Sequence, residues 1–358
     1  MRIFRSLFAA FFALFALSAA APKTPAPPKS TFNPFETFAP LRLPDPVNRY
    51  RSASGVPGPD YWQNRADYKI HATLDTAANV LSADEIITYT NNSHDALDRL
   101  WLQLDQNIYR KDSRARAASG RNVPMSTEGF VLDAVEIANA PADYIVDDTR
   151  MQIRLARALE ARGGKLEIHI RYHYEMPGAF GGRTAHGATP GGEIYDIAQW
   201  YPRMAVYDDL RGWNTLPYVG AEFYLDYGDF DYDITVPSDM LVAGSGELVN
   251  PDDVLTNAER ARLKQAASSD KTVMIRDVGE IAAARPAKTP ALTWRFHLEN
   301  TRDVAFSASK AFVWDAARIN LPGGKSALAM SFYPAESAGH DGWGRSTEYL
   351  KDSVENFS

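Results

Sequence analysis

From about residue 50 onward the chain repeatedly alternates apolar and polar positions. Tyr68, Ile70 and Ala72 make one such run, and Leu100, Leu102 and Leu104 make another. Longer runs follow at Leu166, Ile168, Ile170, Tyr172 and Tyr174, and at Phe230, Tyr232, Ile234 and Val236. Successive side chains of an extended strand point to opposite faces, so each run predicts a half-buried strand. Clusters of Gly, Pro, Asn and Asp between the runs predict an antiparallel sheet or sandwich rather than strands alternating with helices. No internal sequence repeat is visible.

Two segments predict helices. Thr256-Asn257-Ala258-Glu259 has the form of a capping box, and the Ala, Arg, Lys and Gln run to Ala267 continues it as a surface helix. A second helix is expected to start around Asp341, with Leu350, Val354 and Phe357 on one apolar face. No Gly or Asn cap and no Pro follows it before Ser358, so the sequence reads as incomplete there.

Composition narrows the picture further. With 358 residues, 45% hydrophobic and 11% aromatic, the chain has ample material for a packed core. Its formal charge of −7 gives no overall excess of cations with which to neutralise phosphates, so nucleic acid is not an expected partner. Having no Cys removes disulfide frameworks, cysteine nucleophiles and thiolate metal sites. Any metal would need His, Asp or Glu.

The first twenty residues read as an export signal. Arg2 and Arg5 precede an apolar run from Leu7 to Leu17, and Ser18-Ala19-Ala20 offers a cleavage site after Ala20. Those 11 apolar residues are too few to span a bilayer, for which about 20 are needed, so no membrane span is expected after cleavage. The expected location is periplasmic or secreted. Residues 21–49 are proline-rich and predict an extended leader, with the folded part beginning near Tyr50.

Several constellations invite a chemical reading. None of the seven His is followed by Glu, so the zinc-protease signature H-E-x-x-H is absent. His169 and His173 have its i, i+4 spacing but lie in a strand-like run, where four residues span about 13 Å. They are expected on a solvated strand face. Asp229, Asp231 and Asp233 open like a calcium loop, but Ile234 and Met240 stand where Gly and Glu are required. They too are expected on an outer strand face. The Gly-rich stretch Gly178 to Gly192 lacks the phosphate-loop ending and reads as a mobile surface loop, while Gly244-Ser245-Gly246 reads as a turn.

The aromatic run from Gln199 through Trp200, Tyr201, Pro202 and Arg203 to Asp209, then Arg211-Gly212-Trp213, admits two readings. It is either a platform facing a sugar or peptide, or an aromatic sheet core with a loop. Composition does not choose between them.

A family resemblance appears in the same region. Arg203-Met204-Ala205, an acidic loop, Phe230-Asp231-Tyr232-Asp233-Ile234-Thr235-Val236-Pro237, Met240 to Ala243 and Gly246-Glu247-Leu248 resemble the amino-terminal domain of the aminopeptidase N family of gluzincin zinc metallopeptidases. Thr293-Trp294-Arg295-Phe296 resembles a later strand of that domain, and the likeness covers about Tyr61 to Phe312. Val206-Tyr207-Asp208-Asp209 replaces the family's F-P-C-F-D-E segment, which points to a divergent branch.

The resemblance implies a mainly β fold: a large antiparallel sheet or sandwich forming a saddle over 50–325. Residues 326–358 would be the first strand and helix of a thermolysin-like α/β catalytic domain. It implies a peptide substrate, with Gln199 as the nearest match to the residue that binds the substrate's free amine. It also implies Zn²⁺ in the full-length protein, held by two His and a Glu beyond Ser358. The rival expectation is a secreted β module that binds peptide or glycan through Trp200, Tyr201 and Trp213 without catalysis.

Overall fold

The computed structural model describes residues 48–358 apart from 53, 120–125, 179–181, 223, 284 and 286–288. The expected signal and nearly all of the leader fall outside these residues. The chain divides into two compact units, one ending at Asp60 and the other running from Tyr61 to Ser358. The described part of the first is a short turn closed by an Arg51–Pro57 bridge and an Arg49–Asp60 ion pair.

The second unit is mainly β. It begins with β1 (Arg65–Asp75), β2 (Val80–Asn91) and β3 (Leu97–Gln103), followed by a short helix, α1 (Arg114–Ser119). Next come β4 (Val131–Ile137), β5 (Ala140–Pro141), β6 (Asp143–Asp147), β7 (Arg150–Leu159) and β8 (Gly164–Glu175). A hairpin of β9 (Thr184–Thr189) and β10 (Gly192–Ile197) leads to β11 (Arg203–Met204), β12 (Tyr207–Asp208) and β13 (Gly212–Trp213). After β14 (Gly228–Pro237), β15 (Leu241–Gly244) and β16 (Glu247–Leu248) lie helices α2 (Pro251–Val254) and α3 (Asn257–Ala266). The chain continues through β17 (Val273–Arg276), β18 (Ala291–Thr301), β19 (Phe306–Ser309), β20 (Phe312–Asn320) and β21 (Ser326–Pro334) to α4 (Ser346–Phe357).

The largest sheet has eight strands in the order β16-β18-β14-β1-β2-β8-β4-β5. Within it β1 and β14 run parallel with Tyr68 opposite Phe230, while the other pairs in the sheet are antiparallel. The alternation in the sequence sets its two faces. On β1, Ala66, Tyr68, Ile70, Ala72 and Leu74 are buried, and on β14 Phe230, Tyr232, Ile234 and Val236 are. Two four-stranded sheets, β15-β19-β10-β9 and β11-β3-β7-β6, share the same hydrophobic core. The Tyr68 ring stacks on Phe230 at 4.6 Å, and Trp200 meets Phe306 edge-on at 5.3 Å.

Polar residues decorate the outer face of the eight-stranded sheet as expected. His71 pairs with Asp233, His297 with Asp231, His169 with Asp84 and His173 with Asp133, at 2.7 to 3.0 Å. Gly244-Ser245-Gly246 forms the turn between β15 and β16.

Two expectations are corrected. The Gly-rich stretch is not merely a loop: β9 and β10 pair over its second half, with Tyr195 opposite His186. Gly192 at φ 150° completes the turn, and a Cβ at Gly191 would lie 2.9 Å from the Ala311 Cβ, so the glycines admit a close approach.

The final helix begins at Ser346, not near Asp341. Before it, Trp343 N–H bonds to Ser337 O at 2.7 Å, and a Cβ at Gly342 would lie 2.3 Å from that same oxygen. Its buried face also differs. Thr347 is buried, Lys351 and Val354 are partly covered, and Leu350 and Phe357 are exposed. Polar bonds account for this rotation: Thr347 Oγ1 bonds to Ser331 Oγ at 2.8 Å, and Asn320 N–H donates to Glu355 Oε1 at 2.7 Å.

Candidate functional site

The link from β10 to β11 contains Gln199, and its geometry differs from the strand alternation that would put Gln199 beside Ile197 and Tyr201. β10 stops at Ile197, and Gln199 adopts φ 54° at a bend. A left-handed residue other than Gly interrupts the alternation and costs about 1–2 kcal/mol, so the surroundings must hold it. They do so through the backbone on both sides. Gln106 Nε2 donates to Gln199 O at 2.8 Å and to Thr184 Oγ1 at 3.0 Å, while Thr184 Oγ1 donates to Ala198 O at 2.5 Å.

The residues after Gln199 anchor the link in the core. Trp200 and Tyr201 are fully buried, with Trp200 Nε1 bonded to Val304 O at 3.0 Å and Tyr201 OH to Asp303 Oδ1 at 2.7 Å. Arg203 donates to Asp105 Oδ2 and Asp303 Oδ2, each at 2.8 Å. Burial disfavours the Arg203 cation, but Asp105 and Asp303 together push its pKa up, so the guanidinium stays charged. Met204 N–H bonds to Tyr68 OH at 3.0 Å, which ties β11 to the central strand β1. This burial decides the two readings of the aromatic run in favour of the core. Trp200 and Tyr201 cannot form a ligand platform, and Trp213 is half-buried against Tyr207 and Tyr89.

Gln199 itself is 8% exposed, and among the described residues nothing hydrogen-bonds its side-chain amide. Neighbouring Ala198 and Ile197 line a cavity of about 360 Å³ together with Ser245 and Phe306. Gln199 is not part of that lining. The sequence contains no marker for the partners that set this geometry: Gln106, Thr184 and Asp303 are separated from it by roughly 15 to 100 positions.

Zinc does not fit the described residues. They contain no group of three or more His, Asp or Glu placed to hold a metal ion. The best-spaced pair, His169 and His173, is split along β8, and each imidazole is engaged with its own carboxylate. Among the described residues no helix is long and apolar enough to cross a membrane.

No protein-family profile matches the chain, and no curated protein does. Solved structures do. A mutant of the M1 zinc metallopeptidase from Deinococcus radiodurans matches at 14% identity and a TM-score of 0.45, over 82% of this chain and 54% of that one. The same enzyme bound to a Tyr-Ser-Ala substrate matches at 14% identity and a TM-score of 0.43 over the same shares. Aminopeptidase A from Legionella pneumophila, in complex with aspartic acid, matches at 8% identity and 0.45 over 80% of this chain and 26% of that one. The chain thus spans about half the length of the Deinococcus structures.

Proposed function

We propose that this chain is the amino-terminal β domain of an exported zinc metallopeptidase, an aminopeptidase, and that it shapes the substrate cleft. In this reading Gln199 receives the free α-amine of a peptide, and Zn²⁺ is held by residues outside this sequence. The observation that carries the reading is the posture of Gln199. Gln106 and Thr184 hold the backbone of its link, its left-handed φ lifts it out of the strand pattern, and no described protein group uses its amide.

A neutral amide oxygen accepts a hydrogen bond from an ammonium group without demanding a full counter-charge. A rigid support spends little of that binding energy on ordering the side chain. Trp200, Tyr201 and Arg203 then act as the support of the site rather than as its contact surface. An overall negative charge and the family resemblance both favour a peptide over a nucleic acid as partner.

The first test is the coding sequence downstream of residue 358. An H-E-x-x-H followed by a further Glu supports the reading, and a stop codon directly after Ser358 overturns it. In the enzyme carrying both parts, Gln199→Ala lowers kcat/KM for peptides with a free amino terminus by about 10- to 100-fold, or 1.4–2.8 kcal/mol, with little change in melting temperature. Equal loss on free and acetylated peptides, or loss of stability alone, removes the role from Gln199.

A further inference from the structure

Gln106 stands on a short 3₁₀ turn, Asp105–Tyr109, that follows β3, and it is 2% exposed. Its neighbours fix that turn. Asn107 Nδ2 donates to Asp148 O at 2.7 Å, and Asn107 Oδ1 accepts from Phe130 N–H at 2.9 Å. Asp105 accepts from Arg203 Nε at 2.8 Å, so two consecutive residues, Asp105 and Gln106, grip the link to β11 at Arg203 and at Gln199. Thr184 opens β9 opposite Ile197, the last residue of β10. The bend at Gln199 is thereby tied to two sheets, through Thr184 to the one containing β9 and β10 and through the turn to the one containing β3 and β11.

The direction of each hydrogen bond decides what residue 106 must be. The Thr184 hydroxyl has one hydrogen and gives it to Ala198 O, so toward Gln106 it can only accept. Gln199 O likewise only accepts. Position 106 must therefore present two donors, which fixes the orientation of the Gln106 amide and excludes an ionised glutamate, a pure acceptor. The arrangement is costly. Gln106 Oε1 is buried without a donor, and Gln199 holds a left-handed φ of 54°. Both costs fall at one bend, beside a Gln199 side-chain amide that no described group bonds, as happens where position is kept at the expense of stability.

We infer that Gln106 is a positioning residue for substrate-amine recognition: its two N–H donors hold Gln199 at the bend where that amide is presented, and glutamate cannot take its place. The inference rests on the role proposed above for Gln199. In it Gln106 acts through the backbone of Gln199 and not by contact with substrate.

The test uses the enzyme carrying both parts and reads the ratio of kcat/KM on a free-amine peptide to that on its acetylated counterpart. Gln106→Glu exchanges one nitrogen for oxygen and lowers that ratio by about tenfold or more in protein with a native melting curve. Thr184→Val, which keeps the shape and loses the hydroxyl, does the same and gives the reading should Gln106→Glu fail to fold. Thr184→Ser restores the ratio. A purely structural role lowers the melting temperature but leaves the ratio per folded molecule at its wild-type value. Gln106→Glu combined with Gln199→Ala lowers the ratio no further than Gln199→Ala alone, because both act on one group. The inference is overturned if Gln106→Glu or Thr184→Val, folded, keeps the wild-type ratio while Gln199→Ala loses it, or if the losses multiply in the double variant; amine recognition by Gln199 then stands. A ratio that Gln199→Ala itself leaves unchanged overturns that reading and this inference with it.

Discussion

At the scale of single residues, Glu85 is the most consequential side chain that no sequence pattern singled out. It lies fully buried on β2, between Ile70 of β1 and Ile170 of β8, and neither carboxylate oxygen has a hydrogen-bond partner. Burial first, and Asp84 second, push its pKa well above the usual carboxylate range, so it is a neutral acid inside the core. The sign of the consequence follows from linkage. The folded state keeps the proton more tightly than the unfolded state, so stability is highest below the unfolded pKa of about 4.3 and falls as pH rises above it, until the folded pKa is passed. Asp226, pushed up to about 7 by burial and then by Asp208, acts in the same direction between the usual Asp range and pH 7. In an Asp226→Asn background, Glu85→Gln should therefore melt higher relative to its parent at pH 8 than at pH 4. Each unit of Glu85 shift is worth about 1.4 kcal/mol. A melting difference that is flat across that range, measured by calorimetry, would remove the neutral-acid assignment.

Among the elements, α3 was legible because its signals are local. Thr256 Oγ1 accepts from Glu259 N–H at 3.2 Å, and Glu259 Oε2 accepts from Thr256 N–H at 2.8 Å, which completes the capping box read from the sequence. Glu259 also has a second role that the sequence did not signal. Its other oxygen pairs with Arg285, and both side chains are 6% exposed. Thr256→Ala should cost about 1 kcal/mol, the ordinary value of a cap. Glu259→Ala should cost about 3–5 kcal/mol, because it strands a buried guanidinium. Urea denaturation of the two variants measures the difference, and equal losses would show that the Arg285 pair contributes nothing. The final helix shows the converse. Its apolar pattern at Leu350, Val354 and Phe357 was read correctly as a helix, but bonds from Thr347 and Glu355 to β20 and β21 selected a different inward face.

For the whole molecule, metal content is the discriminating property. The described residues gather no metal-binding triad, and the function proposed above assigns zinc to residues outside this sequence. The purified chain, dialysed against a weak chelator, should retain less than about 0.1 zinc per molecule, since open-face His–carboxylate pairs lack the closed tetrahedral set of a stable site. One tightly held zinc per chain, by elemental analysis, would contradict the division of labour proposed here. The segment 326–358 pairs through β21 with β20 and packs through α4 on both strands, within the unit that begins at Tyr61.

Period-two alternation determined the buried faces of β1, β8 and β14, because the direction of a side chain along a strand depends only on its parity. The same arithmetic placed His169, His173 and the Asp229–Asp233 triplet on the outer face, and a four-residue signature placed the start of α3. Other features depended on tertiary partners. Gln199 leaves the alternation because Gln106 and Thr184, 93 and 15 positions away, hold its backbone at a left-handed bend. Arg203 is buried because Asp105 and Asp303 approach it from two other parts of the chain. A cavity of about 860 Å³ lies where β15, β16 and β21, each the last strand of its sheet, come together. Spacing along a chain states which way a side chain points; which group it meets there is decided by strand order, and strand order is set by packing between segments a hundred or more residues apart.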